Sequence, residues 1–239
     1  MYAGTDGLSN SVFVEFHVIE LRYGHPKEMS MIRPITVSGP TLFTIVVLPM
    51  SLAVLLAMRG LDLDSAYGVS SMIQFSVQLA VPWLFIAFCA SSCVIVFPGK
   101  FTRWILRNRR IFGLCFAAGM AWQLLFILWL VVGHFDYYME EGYDYLSLVE
   151  QVPGYIVLLA MTITSFRFGR SKLSTRQWKF LHKGGIYFLW FVVWTTYWYE
   201  LFYYDDIQFI DYLYYWLGFV VWLFRMTAWT LKRVRQPAT

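Results

Sequence analysis

Six long stretches with few or no charged residues, separated by short clusters of Lys, Arg, Asp and Glu, constrain this chain more than any motif in it. About 20 apolar residues in an α-helix span the hydrocarbon layer, where every backbone polar group has to be paired within its own segment. The stretches predict helices near residues 40–58, 69–97, 111–133, 152–166, 184–203 and 210–231. A composition that is 59% hydrophobic and only 14% charged departs from that of soluble domains. The fold expected is an all-α integral membrane protein, a six-transmembrane-helix bundle. The fourth and sixth uncharged cores are short, so Arg167 and Arg225 are expected to extend their charged tips toward the headgroups.

Charge placement orients such a bundle, because Lys and Arg are retained on the cytoplasmic side while acidic residues carry little weight. The second connection holds Lys100, Arg103, Arg107, Arg109 and Arg110, and the fourth holds Arg167, Arg170, Lys172, Arg176, Lys179 and Lys183. Both are expected in the cytoplasm. Asp62 and Asp64, then Asp136, Glu140, Glu141 and Asp144, then Asp205 and Asp206 mark the outer connections, with Arg59 the basic residue at their edges. Both termini are consequently cytoplasmic, in agreement with Lys232, Arg233 and Arg235, and the membrane is expected to be the cell inner (plasma) membrane. The net charge of +4 reflects this topology and gives no support for nucleic-acid binding.

Three divisions follow: a cytoplasmic or interfacial segment 1–38, the six-helix domain 39–232 and a cytoplasmic tail 233–239. The first segment lacks the basic start and apolar core of a cleavable signal. Its alternating Val12, Val14, Phe16 and Val18 fit a short strand, while Phe13, Phe16, Ile19 and Glu20 fit an interfacial helix, and both readings stand. Pro98-Gly99, Gly142 and Pro153 mark helix ends, and Ser147 with Glu150 forms a candidate capping box before the fourth helix.

Cys89, Cys93 and Cys115 fall at similar depth near the inner ends of helices two and three. A metal or disulfide is conceivable there, but Ala87, Ala90, Ser91 and Ser92 around them favour close helix packing, and a cytoplasmic location disfavours a disulfide. No metal site is assigned. Gly113, Ala117 and Ala121 recur at one-turn spacing, which predicts a face that either packs tightly or opens onto a flat cofactor.

Arg109-Arg110-Ile111-Phe112-Gly113-Leu114 opening one helix, then Thr164-Ser165-Phe166, then Trp178-Lys179-Phe180-Leu181-His182 followed by Tyr187, resembles the ferric reductase-like transmembrane domain superfamily. Within it, the likeness is greatest to the bacterial haem-binding membrane subunit of the periplasmic methionine sulfoxide reductase system. The resemblance covers more than a third of the chain and implies a six-helix layout with both ends inside. In that family a histidine stands ten residues after the glycine, and here the position is Gln123. A second stands thirteen residues after the Leu-His pair, and here it is Thr195. His182 alone matches.

Haem iron in such bundles is held between imidazoles on facing helices at matching depth. His134 and His182 lie at opposite ends of the bundle, about 30 Å apart, and cannot clamp one iron. Met120 and Met161 are better explained as core filling than as axial ligands. No cofactor is therefore expected, with haem b the alternative. His182 is a candidate contact for a haem propionate, a quinone or a phospholipid headgroup, weighed against a structural cap on helix five. Gln123 and Thr195, at comparable depth, are expected to hydrogen-bond each other across the former ligand plane.

Tyr and Trp crowd the outer ends of the last helices, as interfacial belts do. Some of them also suit a protein interface, for which Trp198, Tyr203, Tyr215 and Trp216 are the candidate anchors. No nucleotide-binding glycine motif and no catalytic triad is present, and catalytic residues are not assigned. The expected role is an accessory or assembly partner in a larger membrane complex, without catalysis of its own. The alternative is a b-type electron-transfer subunit, carrying electrons from quinone or flavin to a periplasmic reductase through unconventional ligation. A carrier of small molecules or ions is a third class, weakened by the scarcity of ionisable residues in the spans. Other membrane subunits, lipids and a quinone are the partners considered.

Overall fold

A computed structural model describes residues 38–142, 145–203 and 207–235, which form one compact unit beginning at Ser38. The alternatives read for residues 12–20 lie outside the described residues. Six long helices account for most of the unit: α1 Gly39–Gly60, α2 Ala66–Val96, α3 Lys100–Gly133, α4 Tyr145–Thr164, α5 Thr175–Tyr203 and α6 Phe209–Val234. A helical turn Phe135–Tyr137 and a π turn Tyr138–Gly142 follow α3, and a turn Arg167–Arg170 joins α4 to α5. No strand occurs among the described residues.

The chain is all-α. Three of its helices, α1, α2 and α3, are long and apolar enough to cross a membrane. Their outward faces carry the residues a hydrocarbon solvent accepts: Leu48 on α1 is 64% exposed and Val132 on α3 is 84% exposed. This is a membrane protein.

Where the helices begin differs from the sequence reading. α3 starts at Lys100 and α5 at Thr175, so much of the expected basic loops is helix. Charged side chains do not end a helix unless Pro, Gly or a cap intervenes, and hydrophobic patterning alone marks only the part that reaches lipid. Pro98-Gly99 does separate α2 from α3. The capping box read at Ser147 does not start α4, which begins two residues earlier at Tyr145, and Pro153 lies inside that helix.

Side-chain contacts give the bundle its directions. Gln78 and Phe85 of α2 meet Tyr214 of α6, while Ile95 near the end of α2 meets Arg235 just past α6, so these two run parallel. Trp190 of α5 reaches Gly218 and Tyr187 reaches Arg225, so α5 and α6 run antiparallel. Helix α4 binds α5 through Thr164 and Trp178, and α3 through Tyr155 and Gln123. α2, α3, α4, α5 and α6 thus close a ring, with α1 lying outside against α2 and α3. One end of the ring collects the basic residues and the other the acidic ones. α1 starts at the basic end, where Gly39 lies beside Ile111, and α6 finishes there.

Two close contacts hold the centre. A Cβ placed on Gly119 of α3 would stand 2.6 Å from the Ala80 Cβ of α2, so glycine allows the two backbones to approach. Pro82 of α2 has no N–H to give the Gln78 carbonyl. The Tyr214 hydroxyl of α6 donates to that carbonyl at 2.8 Å, replacing the lost bond and tying two helices together. The core is built around Phe88, Phe116, Leu84 and Val81, with a smaller cluster of Val54, Met72 and Phe126 toward the acidic end.

Candidate functional site

The basic end of the ring encloses a cavity of about 720 Å³ to which α2, α3, α4, α5 and α6 all contribute. Its floor is apolar, from Ala87, Gly113, Leu114, Met161 and Ile186. Gly113 faces open space, so of the two outcomes expected for its face the structure shows the open one at this residue. Of the residues expected to pack closely, Ala117 lies against the main core and Ala121 is exposed, while the closest helix approach is made by Gly119.

The cavity walls are cationic. Arg107, Arg109 and Arg110 come from the first three turns of α3, and Arg167 and Arg170 from the turn after α4. Lys179 and Lys183 come from α5 and Arg225 from α6. Among the described residues, no Asp or Glu lines the cavity. Arg225 does not extend toward the headgroups as the sequence reading expected. Its Nε donates to the Tyr187 hydroxyl at 2.7 Å, one terminal nitrogen donates to the Phe88 carbonyl, and the guanidinium lies 4.5 Å from the Phe88 ring centre and 4.4 Å from that of Tyr187. Aromatic faces and a backbone carbonyl provide what a short sixth helix could not find in lipid. Arg170 is similarly set, donating to the Leu173 carbonyl at 2.9 Å with its guanidinium over Trp178.

His182 stands at the wall, before the uncharged part of α5. Its Nε2 is 3.0 Å from Thr164 Oγ1, whose single proton is given to the Ala160 carbonyl at 2.7 Å. With the hydroxyl proton on that carbonyl, the tautomer that completes the pair carries its proton on Nε2 and leaves Nδ1 bare. Burial, and after it the Arg109 and Arg170 charges, lowers the imidazole pKa below its ordinary value of 6.5. Trp178, one turn before His182, donates to the Thr164 carbonyl at 3.2 Å. Histidine and tryptophan together clamp α5 to the last turn of α4.

A comparison with protein-family models, with curated proteins and with solved structures finds no match. The reading of this site rests on its own geometry. A haem held by two histidines requires imidazoles facing each other across the bundle. Among the described residues, His182 is the one histidine lining the cavity, and its Nε2 lies within hydrogen-bond distance of Thr164. Gln123 accepts a 2.6 Å hydrogen bond from the Tyr155 hydroxyl. Thr195, buried, donates to its own helix at the Phe191 and Val192 carbonyls. His134 ends α3 at the acidic end. Among the described residues, His134 and His182 therefore stand at opposite ends of the ring.

The remaining candidates separate by position. Cys89, Cys93 and Cys115 are free thiols, and Cys89 Sγ lies 3.9 Å from the Val221 carbonyl. Met120 and Met161 pack against the main core. Of the aromatic anchors, Tyr203 and Trp216 are 68% and 61% exposed. Trp198 and Tyr215 are half-buried within an aromatic cluster, Tyr215 stacking on Trp194 at 5.8 Å. Sequence reasoning missed Tyr155, named Trp178 only within a motif and without a role, and missed that Arg225 turns inward. Tyr155 sits on the helix facing Gln123, a partner that no spacing within one segment reveals.

Proposed function

We propose that this chain is a six-span subunit of the cell inner membrane, with both termini cytoplasmic and a ferric reductase-like layout. It has lost standard bis-histidine haem ligation and serves as an accessory or assembly partner in a larger membrane complex. The observation that carries this reading is the Tyr155 to Gln123 hydrogen bond at the position where the resemblance expects an iron ligand. A half-buried amide paired with a phenol on the neighbouring helix makes a stable interior without a cofactor. The up-and-down ring of helices and the exposed aromatic residues Tyr203 and Trp216 add support for a membrane subunit with partners.

The second reading, a b-type electron-transfer subunit with unconventional ligation, draws on one feature: His182 and the open face of Gly113 border the same cavity. Optical absorption separates the two. Purified after expression with ample haem, the chain should show no stoichiometric b-type Soret band. Haem near one per chain would reject the accessory reading in favour of the second.

A further inference from the structure

We infer that the basic-end cavity is a binding site for a phosphate-bearing anion, presented by the headgroup of an acidic phospholipid. Among the described residues, the cavity gathers eight Lys and Arg side chains without one carboxylate to neutralise them. Like charges brought this close repel one another, and an anionic ligand removes that cost while gaining charge-assisted hydrogen bonds. Arg225 is the central contact. Its Nε and one terminal nitrogen are engaged by Tyr187 and Phe88, while the other terminal nitrogen has no protein acceptor among the described residues. Tyr187 and Phe88 therefore fix this guanidinium at the cavity wall before any ligand arrives.

The lipid source is argued from the rest of the cavity. Beneath the cationic rim the floor is apolar, with Leu114, Met161 and Ile186, which suits an acyl or glyceryl segment and not a free, fully hydrated phosphate. Around the rim, Phe166, Phe168 and Phe180 are 50%, 75% and 80% exposed among the basic residues. Large apolar side chains interleaved with Lys and Arg place this end at the level of the headgroups. Basic pockets between helices at that level suit anionic headgroups. The inference requires the membrane setting alone and does not depend on the accessory role.

The test uses the full chain in a neutral detergent, with thermal unfolding and native mass spectrometry as readouts. Phosphatidylglycerol should raise the unfolding temperature by several degrees over equal phosphatidylcholine and remain bound at about one molecule per chain. The triple variant Arg109→Gln, Arg110→Gln, Arg167→Gln should lose most of that difference. The matched variant Arg103→Gln, Lys172→Gln, Arg176→Gln, drawn from the same segments but outside the cavity, should keep it. Arg225→Lys, which keeps the charge and loses the fork, should weaken retention of phosphatidylglycerol several-fold. Equal stabilisation by the two lipids would overturn the proposal, as would equal loss in both triple variants. Full stabilisation by millimolar inorganic phosphate alone would overturn the lipid source.

Discussion

At the scale of single residues, His182 shows how a side chain suggestive of a ligand is used as a fastener. Its Nε2–H bonds Thr164, and removing it leaves a buried hydroxyl with one partner fewer. His182→Ala should cost about 1–3 kcal/mol of stability. His182→Gln, whose amide can still donate, should recover much of it, as measured by thermal unfolding in detergent. The sign of the pH effect follows from the lowered pKa. An unfolded imidazole protonates first as pH falls through about 6.5, so the stability that neutral His182 contributes is present above that pH and declines below it. The wild-type chain should therefore lose stability relative to His182→Gln on acidification from pH 7 to 5, and parallel pH curves for the two would refute the assignment. Gln123 gives the complementary lesson. Its identity was readable as a departure from the resemblance, but its partner Tyr155 lies 32 positions away on another helix, and chain topology alone joins them.

Among the helices, the pair α2 and α3 depends on contact between a glycine and an alanine. Gly119→Val would drive two methyl groups into Ala80, and overpacking of this kind costs about 1–3 kcal/mol. Gly113→Val, one and a half turns nearer the basic end, meets open space and should be close to neutral. Comparing the two unfolding temperatures checks the packing directly, since both change the same residue type in the same helix. The small-residue pattern in the sequence could not rank them, because one-turn spacing marks a face without saying which neighbour it meets. Helix starts show a similar limit. Apolar runs located all six helices, but α3 and α5 continue for several turns into charged sequence, where no periodic apolar signal records them.

For the whole molecule, the six-span arrangement predicts that Asp136 and Arg176 lie on opposite sides of the membrane. Single cysteines introduced at these two positions, with the three native cysteines replaced, should label from opposite faces of sealed vesicles. Labelling from the same face would refute the arrangement. The proposed complex makes a second prediction. Tyr203→Ala with Trp216→Ala, at two highly exposed positions, should release the chain from its partners in mild detergent without lowering its own unfolding temperature. Tyr215→Ala should lower that temperature, because Tyr215 stacks on Trp194 inside the aromatic cluster. Purification of the native chain as an active lone monomer would count against the assembly role.

The sequence by itself determined the solvent and the class of fold, because long uncharged segments leave the backbone little choice but helix. It also determined where charge accumulates, since Lys and Arg cluster within two connections. Tertiary structure alone decided what those charges face. Arg107, Arg109, Arg110, Arg167, Arg170, Lys179, Lys183 and Arg225 are scattered over more than a hundred positions, and they share one cavity because five helices close into a ring at their basic end. Whether a half-buried arginine turns outward to headgroups or inward to an aromatic cage depends on what the neighbouring helices offer at its depth. For Arg225 they offer Phe88 and Tyr187, a placement decided by helix packing that linear spacing does not encode.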